Sequence, residues 1–181
     1  MKYVNEYRDP ALALMLAEKI ARAARSGREY RLMEFCGGHT HAISRYGISD
    51  LLPANVHMIH GPGCPVCVLP IGRIDSAIEL AMQRPLSLCT YADTLRVPAS
   101  KHLSLMKAKA RGADVRMVYS VSDALRLAQE NPLRDWVFFA IGFETTTPST
   151  ALAIRAAASL QLANFSVFCN HVLTPPAMAA I

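Results

Sequence analysis

Short apolar runs of β character alternate with helix-patterned stretches along this chain, and that alternation limits its fold more than any other feature. The β-like runs cover 30–35, 56–60, 86–91, 115–119, 137–141 and 165–169. A helical opening over 11–26 precedes them, with Gly27 as its stop. Apolar residues then fall at helical spacing over 73–83, 100–111, 121–130 and 149–161. Strand followed by helix, repeated, gives a parallel sheet, because parallel neighbours need long crossovers and those crossovers are helices packed on both faces. The expected class is therefore α/β, a parallel β-sheet flanked by helices. In such folds the functional loops gather at the carboxyl ends of the strands.

Composition narrows what such a sheet serves. With 52% of its 181 residues hydrophobic, the chain has enough apolar content for a packed core. Its longest apolar runs, 11–17 and 136–143, fall far short of the roughly 20 residues a bilayer requires, so no membrane span is expected. The net charge of +5 raises the question of nucleic acid. The basic residues, however, lie in helix-like stretches (Lys19, Arg22, Arg25, Arg28; Lys107, Lys109, Arg111) without aromatic interleaving, which reads as solvated helix faces and not as a nucleic-acid surface. The opening ten residues are polar and lack a signal-peptide core, so the cytoplasm is the expected compartment. Five cysteines, an odd number unevenly spaced, point to metal or redox chemistry instead of a disulfide framework.

Asn131-Pro132, followed by Asp135-Trp136, is the expected boundary. It separates a first α/β domain over 1–131, which carries the cysteine motifs, from the start of a second, similar α/β domain over 132–181. A faint echo between 31–40 and 136–145, each strand, Gly-containing loop and helix, fits that division. The apolar segment 175–181 reads as a helix broken off in mid-element. Amides from Arg31 to about Glu130 are accordingly expected to exchange slowly and those after about Leu160 quickly.

Three motifs sit at strand ends. Cys36-Gly-Gly-His-Thr-His41 offers a thiolate and two imidazoles, His39 and His41, beside glycines that let a ligand approach the backbone. The alternative is a buried small cysteine with histidines capping the next helix. Gly61-Pro-Gly-Cys-Pro-Val-Cys67 places Cys64 and Cys67 in a tight turn, suited to reversible dithiol chemistry and equally to half a zinc site. Gly142-Phe-Glu-Thr-Thr-Thr-Pro148 brings Glu144, Thr145 and Thr146 to a helix start. They can form a polar wall that holds a small anion or relays a proton, or Thr147 can simply cap a helix beginning at Pro148. Cys89 and Cys169 lie in apolar runs and are expected in the core. No Walker A loop, Gly-x-Gly-x-x-Gly fingerprint or Gly-x-Ser-x-Gly elbow is present.

Together the three motifs, with Pro70, Leu95-Arg-Val-Pro98, the stretch from Lys107 to Arg116 and Val118-Tyr-Ser120, resemble the HypD family of hydrogenase maturation proteins. The resemblance covers nearly all of this chain but about the first half of the family's usual length. It implies a scaffold on which iron acquires two cyanides and a carbon monoxide, as Fe(CN)2CO, before delivery to a nickel-iron hydrogenase. It also implies two partners: a small HypC-like chaperone whose terminal cysteine shares the iron, and a HypE-like donor that presents cyanide as a thiocyanate. Carried over, Cys36 becomes the iron-binding thiolate, Cys64 and Cys67 the redox pair, and Glu144, Thr145 and Thr146 the lining of the same cleft. Family members also carry a cysteine-ligated four-iron four-sulfur cluster in a C-terminal region whose ligands are not among these five cysteines. Two other classes stay open on the residues alone. A stand-alone thiol-disulfide oxidoreductase needs only Cys64 and Cys67, whereas a zinc-stabilised interaction module needs Cys36 and a histidine as well.

Overall fold

The computed structural model describes residues 8–179; the first seven residues of the opening segment and residues 180–181 lie outside them. The chain divides into two compact units, one up to Cys64 and the other from Pro65.

In the first unit, α1 (Pro10–Ala23) starts where Asp9 accepts hydrogen bonds from the Ala11 and Leu12 amides, with Pro10 supplying its preset φ at the first position. Two parallel strands follow, β1 (Tyr30–Glu34) and β2 (Val56–His60), paired from Tyr30↔Val56 to Glu34↔His60. Their crossover is α2 (Gly37–Arg45) and a short 3-10 turn over Ile48–Leu51. Asn55 fastens the amino edge by donating its side-chain amide to the Arg25 and Arg28 carbonyls. Among the described residues of this unit only Val56 is buried.

The second unit holds the core. It opens with α3 (Pro65–Val68) and α4 (Ile71–Gln83) and continues as β3 (Leu86–Thr90), α5 (Leu105–Ala110), β4 (Val115–Met117), α6 (Val121–Glu130), β5 (Asp135–Gly142), α7 (Thr147–Ser159), β6 (Phe165–His171) and α8 (Thr174–Ala179). The four strands form one parallel sheet in the order β4-β3-β5-β6. Alternation along each strand sorts its side chains between two helical layers. Leu86, Leu88, Phe139 and Ile141 meet Ile74, Ala77 and Ile78 of α4 with Leu105 and Ala108 of α5. Cys89, Trp136, Phe138 and Ala140 meet Val121, Ala124 and Ala128 of α6 with Ala153 of α7. The expected α/β class is what the chain adopts.

The division between units falls at Cys64 and Pro65, not at Asn131-Pro132. Strands on either side of Asn131-Pro132 join one sheet, since β5 pairs with β3 from Leu86↔Asp135 to Cys89↔Phe138. Asn164 adds a staple there: its side-chain amide donates to the Ala128, Asn131 and Arg134 carbonyls, while its own carbonyl accepts from Trp136. A proline after a helix marks a helix end, and here the chain turns straight back into the sheet.

Exchange rates should follow this division. β6 is paired along its whole length, from Trp136↔Phe165 to Gly142↔His171. The segment after Leu160 therefore belongs to the main sheet, against the expectation drawn from sequence. Amide exchange read by mass spectrometry is expected to be slowest in β3 and β5, intermediate in β6 and fastest in β1 and β2, whose two-stranded pair has little buried side-chain cover. Protection of β1 equal to that of β3 would contradict it.

Candidate functional site

Both cysteine loops of the first unit leave the same edge of a parallel pair. β1 ends at Glu34 and runs through Phe35 to Cys36; β2 ends at His60 and runs through Gly61-Pro62-Gly63 to Cys64. Because the strands are parallel and in register, the two loops emerge side by side. The Gly61 amide donates to the Glu34 carbonyl at 2.8 Å, and a Cβ at Gly61 would lie 2.7 Å from that oxygen, so only glycine allows the loops to close up this far.

Cys36 is the N-cap of α2, with extended φ/ψ of −139° and 121°, and its side chain makes no capping bond. The sequence read Gly37 to His41 as a loop; it is the opening of a helix. Glu34 supplies what the cap does not. Its carboxylate accepts the Cys36 amide at 2.8 Å, the Thr40 hydroxyl, and Nδ1 of His60 at 2.9 Å. The Thr40 and Cys36 bonds above all, with that from His60, hold the Glu34 carboxyl down to about 2 against the opposing effect of burial. Ionised Glu34 can only accept, so Nδ1 of His60 carries the proton.

His39 and His41 are both exposed. Two residues apart on a helix, they point about 200° away from one another and cannot close on one ion. Among the described residues no group of three or more His, Cys, Asp or Glu side chains converges as a metal cage. Cys36, His39 and His41 thus form no ready set of three ligands.

The Cys-x-x-Cys pair straddles the division of the chain. Cys64 closes the first unit, and Cys67 lies on α3, whose neighbours Val66 and Leu69 pack on the core of the second. All five cysteines are thiols, with Cys67 exposed and Cys64 half-buried.

At the carboxyl edge of the second unit, strand order reverses between β3 and β5, the place where ligands bind in open α/β sheets. The Gly142–Pro148 turn leaves β5 there. Glu144 accepts from the Thr174 amide at 2.7 Å and its hydroxyl at 2.9 Å, tying the turn to the start of α8. Hydrogen bonds from its own amide and from Thr174 keep the Glu144 carboxyl below its ordinary range. Thr146 and Thr147 both donate to the Phe143 carbonyl, and Thr145 is exposed. The helix begins at Thr147 with Thr146 as N-cap, one residue earlier than expected. His171 bridges strand and helix, with Nε2 3.0 Å from the Thr150 hydroxyl.

The family model described as "Hydrogenase formation hypA family", HypD, matches residues 11–181. The chain belongs to the HypD family. It is 70% identical over its whole length to a hydrogenase maturation factor HypD of Azotobacter vinelandii, covering 48% of that protein. It is 68% identical over 97% of its length to the Rhizobium leguminosarum bv. viciae factor, covering 46%, and 50% identical over its whole length to that of Escherichia coli K12, covering 50%. The chain spans about half the length of these curated relatives.

Within this HypD chain two cysteines lie outside the motifs. Cys89 is buried in β3 with its thiol pushed up to about 12, chiefly by burial, whereas Cys169 on β6 is exposed, contrary to the core position expected of it. Sequence reading also passed over Glu34 and His60. Glu34 is a charged residue inside the first apolar run, two positions before Cys36, and His60 ends the second run directly before Gly61; that placement was the available signal.

No helix among the described residues is long and apolar enough to cross a membrane.

Proposed function

We propose that this chain carries the iron-handling and dithiol portion of a hydrogenase maturation scaffold. Cys36 binds iron as cargo, and Cys64 with Cys67 supplies electrons for cyanide delivery. The observation that carries the reading is the common edge of β1 and β2, from which the Cys36 and Cys64 loops leave together.

The glycines support it. Gly37 and Gly38 lie in the first turn of α2, where glycine costs about 1 kcal/mol against alanine. A Cβ at Gly37 would meet nothing within 4 Å, and one at Gly38 only the Cys36 sulfur at 3.6 Å, so internal packing does not demand either. What they leave is open backbone beside a half-buried thiol, room for a metal complex held partly by another protein. With no cage of three donors among the described residues, iron held here draws further ligands from outside them, which suits a shared site with a HypC-like chaperone.

Electrons balance in the dithiol step. A thiocyanate on a HypE-like donor takes two electrons, its S–C bond breaks, and thiolate and cyanide leave; the dithiol gives up two electrons and two protons and becomes a disulfide. Thiols kept reduced between turnovers suit the cytoplasm.

Cys36→Ala is expected to remove the infrared bands of iron-bound cyanide and carbon monoxide from the assembled complex, while mild oxidant still links Cys64 to Cys67 in a non-reducing peptide map. Persistence of those bands in Cys36→Ala would overturn the ligand assignment, and quantitatively unlinked Cys64 and Cys67 would overturn the dithiol.

A further inference from the structure

We infer that Glu34 is the positioning residue of the Cys36 thiol, clamping both cysteine-bearing loops of the first unit onto one carboxylate. The inference rests on reading Cys36 as the working thiol of the site.

The geometry is particular to Glu34. Its side chain is only 9% exposed, yet it gathers three donors from two segments: the Cys36 amide at the start of α2, the Thr40 hydroxyl one turn along it, and His60 at the end of β2. Its carbonyl oxygen takes the Gly61 amide as well. Backbone and side chain of one residue therefore engage both loops.

Cys36 is fixed at each end as a result. Its amide is held by Glu34, and its carbonyl accepts the Thr40 amide at 2.9 Å. With φ and ψ set, the sulfur retains only rotation about χ1. Helix propensity does not explain an ordered Cys-Gly-Gly start, since two glycines favour the unfolded loop. The carboxylate is what orders it.

Glutamine replaces it poorly. An amide offers one uncharged acceptor oxygen; if that oxygen keeps the Cys36 amide, the Thr40 hydroxyl and Nδ1 of His60 must both turn from donating to accepting, and the charge-assisted bonds are lost. Aspartate keeps the charge but falls one methylene short, and so restores part of the clamp. His60, 48% exposed, can be changed without opening a core.

The test measures the alkylation rate of Cys36 by iodoacetamide in the full chain, site by site in peptide maps, with Cys67 in the second unit as internal reference. Glu34→Gln and His60→Gln are each expected to raise the Cys36 rate at least about threefold relative to Cys67, as the released backbone exposes the sulfur; Glu34→Asp should fall between them and the unaltered chain. An unchanged ratio in both Glu34→Gln and His60→Gln overturns the proposal. Equal acceleration of Cys36 and Cys67 overturns it too, because that is general loosening and not positioning. Alkylation needs no iron, so the two readings fail separately. Iron bands surviving in Cys36→Ala would remove the ligand assignment and leave this result untouched.

Discussion

Replacing Phe139 by alanine is expected to lower the unfolding free energy of the second unit by about 3–5 kcal/mol, a large part of the roughly 5–15 kcal/mol a domain possesses. Phe139 is wholly buried in β5, on the sheet face covered by α4 and α5. Its ring meets Phe168 of β6 edge to face, at 5.5 Å between centroids and 79° between planes, an arrangement worth about 1 kcal/mol beyond area alone. Phe168 is in turn covered by the Arg73 guanidinium, 4.3 Å from its ring centre, while Arg73 bonds the Asn170 side chain at 2.6 Å. Truncation therefore opens a cavity whose lining is held from several sides and cannot collapse. Urea unfolding followed by Trp136, the single tryptophan, buried on the opposite face of the same strand, reads the loss directly. Leu152→Ala serves as control, because Leu152 is 61% exposed on α7 and its loss should stay within about 0.5 kcal/mol. A Phe139→Ala cost no greater than that of Leu152→Ala would mean that the two helical layers do not pack on this sheet as described.

The sheet was legible in the sequence because its strands are dense in β-branched and aromatic residues and its crossovers keep helical spacing. Val56 to His60 and Val121 to Glu130 have the bounds that the sequence assigns them. Pairing order was not legible, since whether β5 lies against β3 or begins a new sheet depends on contacts distant in sequence. Asn131-Pro132 carries the local marks of a linker, and only the Asn164 staple and the β3–β5 register show that it is none. The same limit applies to the site. Cys36, Cys64 and Glu144 are prominent in sequence because thiols and an acid beside glycines are unusual. The short helix α2 was hidden behind residues of poor helix propensity, and its start is held by a side-chain clamp, the Glu34 carboxylate on Thr40 and the Cys36 amide, which His60 of the paired strand joins from 26 residues away. His41 looked like a ligand beside His39 until the segment became a helix, which turns the two apart.

Gly142→Ala should be the most disruptive single methyl in the second unit. Gly142 ends β5 with φ of +151°, in a region side-chain-bearing residues rarely enter. A Cβ built there would stand 1.7 Å from the Thr146 hydroxyl oxygen and 2.9 Å from the Thr146 Cβ. Rotating Thr146 about χ1 removes the first clash and not the second, so the turn itself must move. That turn is occupied on all sides. The Gly142 carbonyl accepts from the Val172 amide at 2.9 Å, Phe143 takes the Thr146 and Thr147 hydroxyls, and Glu144 holds Thr174. A shift at Gly142 thus pulls on β6, the start of α7 and the start of α8 together. The expected cost is about 2–4 kcal/mol, from backbone strain and lost bonds in sum. Pairing the change with Thr146→Gly removes the overlap but leaves the strained φ, so it should recover roughly half of the loss. Recovery to the stability of Thr146→Gly alone would mean that φ carries no strain there. A Gly142→Ala chain as stable as the unaltered one in urea would mean that the Glu144 turn has room to relax, and that its residues are not held where the sheet edge sets them.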